Sequence, residues 1–124
     1  MKHHLFHRSR ERAETAFEEL KKVVNRLKAS PPQTRAAVGA GVQLANDHFV
    51  RRFAGFESFR QSPAAEQERF WSELSELELG LRGQEVGLAL GVGLYRIWLA
   101  DTLAGQRNTA DFLGEQLAEL SRKN

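Results

Sequence analysis

VGLALGVGLYRIWLADTLAG, residues 86–105, is the most apolar run in this chain of 124 residues. It holds two charges, Arg96 and Asp101, and four glycines, Gly87, Gly91, Gly93 and Gly105. Val86, Leu88, Leu90, Val92 and Leu94 alternate with glycine or alanine, which is the period of a strand. The same residues also form helical lines: Val86, Leu90, Leu94 and Ile97 on one, Leu88, Val92, Tyr95 and Leu99 beside it. The helix is the better reading. The alternation stops at Tyr95, and no second good strand exists to pair with it. A helix that is apolar nearly all round is a buried one. Gly87 and Gly91, four apart, would form a groove where another helix comes close. The run has the length of a membrane span, but its two charges and four glycines argue against insertion.

The flanking segments read as amphipathic helices that pack on this one. From Arg10 to Ala29, Ala13, Ala16, Phe17, Leu20, Val23, Val24 and Leu27 form one stripe. Glu18 and Lys22 are an i,i+4 pair in the favourable order. Ser30 precedes two prolines, so it breaks this helix and can cap the next. A second helix is expected over about residues 32–54, with Gly55 as its C-terminal stop. Residues 55–61 read as a connection, and Ser62-Pro63 as a second cap-plus-proline signal. A third helix to about Leu79 carries Phe70, Trp71, Leu74 and Leu77 on one face. Gly80 to Gly83 reads as a short turn. After the apolar helix, Asn108 or Thr109 can cap a last one with the stripe Phe112, Leu113, Leu117 and Leu120.

The expected fold is therefore all-α, a compact bundle of four to five helices. Residues 1–8 are expected to be a flexible N-terminus and residues 9–124 one domain. A weak internal echo adds a possible plan of two helical hairpins plus the N-terminal amphipathic helix. At an offset of fifty residues, Gly41 falls on Gly91, Val42 on Val92, Leu44 on Leu94 and Ala54-Gly55 on Ala104-Gly105. If the two halves are related, their glycine-bearing helices should meet at the centre.

Composition excludes some chemistry. There is no cysteine, hence no disulfide, thiolate nucleophile or Cys-based metal site. The glycines fit no phosphate-binding motif, and no HExxH, nucleophile elbow or paired-carboxylate signature is present. His3, His4 and His7 have metal-compatible spacings but no carboxylate beside them, and His48 has no local partner. No enzyme activity, cofactor or metal is expected. No apolar leader follows the charged N-terminus, which gives a cytoplasmic protein as the expectation.

Charge is uneven although the net is only +2. Residues 1–28 hold eight Lys/Arg against four Glu, and residues 61–85 two Arg against six Glu. Three functional expectations follow. The first is a non-catalytic interaction or regulatory protein whose partner is a protein, itself or another, with Phe17, Leu20 and Val24 offering a self-pairing stripe. The second is nucleic-acid association through the basic residues Arg8, Arg10, Arg12, Lys21, Lys22, Arg26 and Lys28. The third is a small-molecule pocket beside the apolar helix, lined by Phe49, Tyr95, Arg96, Trp98 and Asp101. That pocket needs ~300 Å³ or more.

Overall fold

The computed structural model describes residues 10–122, and side chains from Phe17 to Ser121. The expected flexible stretch 1–8 and the histidines His3, His4 and His7 lie outside the described residues. Six helices follow one another: α1 (Arg10–Lys28), α2 (Pro32–Arg52), α3 (Phe56–Arg60), α4 (Ala64–Arg82), α5 (Val86–Ala104) and α6 (Arg107–Arg122). No strand occurs among the described residues. The all-α bundle is as expected, with one helix more than the four to five read from the sequence. The addition is α3, a single turn within the stretch read as a connection.

The helix ends show what the sequence signals actually do. The Ser30 hydroxyl donates to the Arg26 carbonyl (2.9 Å), and the Ser62 hydroxyl to the Ser58 carbonyl (2.8 Å). Both serines close the helix behind them and do not cap the one ahead. The N-cap positions are Pro31 and Pro63, without a side-chain cap. Helix α2 stops at Arg52 rather than Ala54, because Phe53 turns extended to reach the core. Gly55 is extended too, leading into α3. Gly80 lies inside α4, which runs through the expected turn to Arg82. Only Gly105 is a left-handed glycine stop, at φ 80. There Gly105 N–H donates to Thr102 O and Gln106 N–H to Asp101 O (3.2 and 2.9 Å), satisfying carbonyls that the helix end leaves open. Asn108 and Thr109 sit within the first turn of α6, not before it.

Helix α5 is the centre. It packs most extensively on α2, then on α4, and α6 lies against both α2 and α5. The α2–α5 contact is made by backbone. A Cβ on Gly91 would lie 2.8 Å from Gly41 Cα and from Val42 N, and closer still to the Val38 carbonyl oxygen. A Cβ on Gly41 would lie 3.0 Å from Gly91 Cα, and closer to the Leu88 carbonyl. Gly87 meets the Ala37 methyl in the same seam. The two helices run parallel, since Ala37, Gly41 and Asn46 meet Gly87, Gly91 and Tyr95 in order.

The pairing is reciprocal. Gly41 faces Leu88, Gly91 faces Val38, and these partners are also fifty residues apart. Equivalent positions meet in this way across a two-fold axis lying between parallel helices. The outer helices agree in part, with α4 on α5 and α6 on α2. The glycine echo is thus a spatial pair. The Ala-Gly that anchored the alignment is not, because Gly55 and Gly105 adopt different backbones.

The core fills out around this seam. At one end Phe49, Phe53, Phe59 and Phe70 form a cluster with centroid separations of 5.0–6.2 Å. All four are buried. Beneath them the buried Gln67 amide donates to the carbonyls of Phe59, Arg60 and Ser62 (3.0, 3.1 and 3.3 Å). It thereby serves the end of α3, where the Phe59 carbonyl also accepts the Ser62 N–H (3.1 Å) and the bonds to Arg60 and Ser62 are half-buried. Helix α1 buries Leu20, Val24 and Leu27, and Phe17 meets Phe112 of α6 edge-on at 5.7 Å.

Candidate functional site

The five residues expected to line a pocket beside α5 divide into three places. Phe49 is in the aromatic core, 6.5 Å from the Tyr95 ring, and Tyr95 lies 5.3 Å from Trp98. The Tyr95 hydroxyl donates to Asn46 Oδ1 at 2.9 Å, and burial raises its pKa well above the ordinary value. Tyr95 and Trp98 line a cleft of about 260 Å³ between α2, α5 and α6, floored by Val42, Gly114 and Leu117. Gly114 leaves room for the indole: a Cβ there would lie 3.2 Å from Trp98 Nε1. The cleft falls below the size set for the pocket reading.

Arg96 points the other way, into the α4–α5 groove. Its guanidinium stacks on Trp71 at 4.2 Å, and its Nε lies 3.3 Å from Glu78 Oε1. Gly93 makes this pairing possible, since the space a Cβ would fill holds the Glu78 carboxylate. Burial lowers the Arg96 pKa, Glu78 opposes that, and nearby Arg82 adds to it. Trp71 also donates from Nε1 to the Arg96 carbonyl at 3.2 Å. Asp101 is separate again, buried in the last turns of α5 at 4% exposure. The structure therefore brings Phe49, Tyr95 and Trp98 together and sets Arg96 and Asp101 apart.

The basic candidates divide too. Arg8 and the side chains of Arg10 and Arg12 lie outside the described residues. Lys21 sits 4.7 Å over the Phe17 ring and 3.2 Å from Glu18, while Lys22 lies 3.6 Å from Glu19. These i,i+3 pairs replace the expected Glu18–Lys22 pair. Arg26 and Lys28 are exposed. Among the described residues no three His, Asp or Glu side chains converge as a metal site would need.

Three features were missed in the sequence. One is Gln67, a polar residue on the buried line of Phe70 and Leu74. Another is Arg52, whose Nη1 lies 2.7 and 2.8 Å from the two Glu73 oxygens, with Nη2 3.5 Å from Glu66. The hydrogen bond to Glu73 raises its pKa despite some desolvation. The third is a larger cleft, about 500 Å³, where α1 ends, α2 begins and α6 ends. Nothing in the spacing of its residues could have located it, because three helices contribute.

The outer surface carries the remaining signal. Val86 is 68% exposed, Leu79 59%, Val50 of α2 56% and Ile97 38%. Along α5, Val86, Leu90 and Ile97 are spaced i, i+4, i+11 and share one face. Along α4, Glu68, Ser72, Ser75, Leu79 and Arg82 are spaced i, i+4, i+7, i+11, i+14 on another. By length and mean hydropathy (1.3), α5 is the one described helix able to cross a membrane, yet it is packed into the bundle. Compared with known proteins, the chain matches no family model, no curated sequence and no solved structure.

Proposed function

We propose that this is a non-catalytic interaction protein that self-associates through the outer faces of α4 and α5. The observation that carries the reading is the exposure of Leu79, Val86 and Ile97 on two adjacent helices. Apolar residues scattered singly need no explanation, but of the four large exposed ones among the described residues three fall on α4 and α5, which pack together. The self-pairing stripe expected on α1 does not serve, because Leu20 and Val24 are buried within the chain.

A second copy is the occupant that the charges favour. Along the α4 line the charges stand at its two ends and differ in sign, Glu68 at one and Arg82 at the other. Ser72, Ser75 and Leu79 lie between them. A two-fold axis through the middle, with the helices of the two copies antiparallel, sets Arg82 of each copy, paired with Glu78 in its own chain (3.1 Å), toward Glu68 of the other. It also sets apolar stripe on apolar stripe. Such a surface is complementary to itself, as a two-fold interface requires. The nucleic-acid reading gains little from α1, whose Lys21 and Lys22 each sit beside a glutamate.

Sedimentation or light scattering tests the proposal. The expected mass is twice the 14.0 kDa of one chain. Val86→Glu with Ile97→Glu should give a monomer of unchanged helicity. Arg82→Glu alone should weaken association, and adding Glu68→Arg should restore it. A wild-type monomer at about 100 μM, a concentration far above useful affinities, overturns the proposal. So does a monomer that instead sediments with lipid vesicles.

A further inference from the structure

The 500 Å³ cleft is independent of that surface. Its volume lies within the range of small-molecule sites, about 300–1,000 Å³. Pro32 and Ala36, one turn apart on α2, face Leu120 of α6 and give it apolar walls. Arg35 lies between them, half-buried. Its Nη1 donates to the Lys28 carbonyl (3.3 Å) and to the Ser30 carbonyl, both in the turn joining α1 to α2. Two bonds to backbone fix the plane of a guanidinium. They leave Nε and Nη2, which make no hydrogen bond to a described residue. A planar fork held in place in this way matches a carboxylate and loses little freedom on binding one.

The other charges define the ligand further. Lys28 adds a second cation to the cleft, and Glu119 one carboxylate. Among the described lining residues two cations stand against one anion, which compensates a single negative charge and opposes a second. We propose that the cleft binds a small organic monocarboxylate. The carboxylate meets the free edge of Arg35, its apolar body rests on Pro32, Ala36 and Leu120, and Gln116 offers an amide at the rim.

Titration with sodium hexanoate, followed by backbone amide shifts, tests this. Saturable shifts are expected around Lys28, Arg35, Ala36, Gln116 and Leu120. Butyrate should bind more weakly, because it covers less apolar wall, and inorganic phosphate should not saturate. Arg35→Gln should weaken hexanoate about tenfold, the usual scale of one lost charge-assisted pair. Arg35 also ties the α1–α2 turn, so Glu119→Gln, which does not touch it, is the second variant. It should tighten binding several-fold. No saturable shift at about 20 mM hexanoate, weaker than any useful site, overturns the proposal. Affinity unchanged in both Glu119→Gln and a folded Arg35→Gln also overturns it.

Discussion

Two faces of α5 carry the same kind of residue and have opposite fates. Gly87 and Gly91 lie in a seam against α2 so close that backbone meets backbone. Val86 and Ile97, one or a few residues away, stand in solvent. Hydropathy does not distinguish the faces. At the seam side-chain size decides how close a helix comes: glycine lets the α2 backbone approach, while Val92, fully buried on the same helix, packs into the core as a side chain. The seam glycines of α5 therefore record where a helix backbone comes closest, and burial, not residue type, separates Val92 from the open Val86 and Ile97.

Substituting the seam is the most direct way to break that contrast. Gly91→Ala places a methyl within 2.8 Å of Gly41 Cα and Val42 N. Neither neighbour is the movable end of a side chain, so two helices must separate. The expected loss is about 3 kcal/mol or more, at the upper end of overpacking costs, read by urea denaturation. If Gly91→Ala is as stable as wild type, the seam is looser than described. Gly93→Ala sharpens the point from two residues away. There the Cβ meets only the Glu78 carboxylate, which can swing aside. The expected change is within about 1 kcal/mol, because the helix gain from alanine offsets the disturbed Arg96–Glu78 pair.

A smaller effect is expected where a polar side chain supports the same core. Gln67→Ala removes the amide that serves the carbonyls of Phe59, Arg60 and Ser62. A loss of about 1 kcal/mol follows, because the half-buried Arg60 and Ser62 carbonyls lose this donor while the Phe59 carbonyl keeps the Ser62 N–H. Amide hydrogen exchange should show it concentrated in α3 and the start of α4. A uniform loss across the bundle would mean that Gln67 acts only as packing.

How much of this could be read from residues alone depends on the range of the forces involved. The long helices were legible because each has a stripe with the helical period, and α5 was legible as the centre because it lacks a polar face. The glycine pair at Gly41 and Gly91 was legible as an echo in sequence. Helix ends were not: Ser30 and Ser62 can bond forward or backward, and the backward choice depends on the proline that follows each. Helix α3 was hidden because five residues show no period, and Gln67 because its acceptors belong to α3. The candidate pocket fared worse. Tyr95 and Arg96 are adjacent in sequence, and on a helix adjacent side chains diverge, so one reaches the α2–α6 side and the other α4. Arg35 and Glu119 share a cleft only through a contact between the two ends of the chain.

The smallest stability effect is the most informative about function. Val86 is 68% exposed in the first turn of α5. Replacing it by serine removes apolar surface that folding does not bury, so the isolated chain should change by no more than about 0.5 kcal/mol. Leu99→Ala, on the buried side of the same helix at 0% exposure, should cost about 2–5 kcal/mol. A valine at this solvated helix start adds little to the fold, and serine has no propensity defect large enough to matter there. If the proposed dimer forms, replacing Val86 should act on association instead. Val86→Ser should weaken the dimer in sedimentation while the melting of the dilute monomer stays put. If both move together, Val86 belongs to the fold, and the open face of α5 is narrower than its exposure implies. If neither moves, the contact between copies lies elsewhere on the bundle.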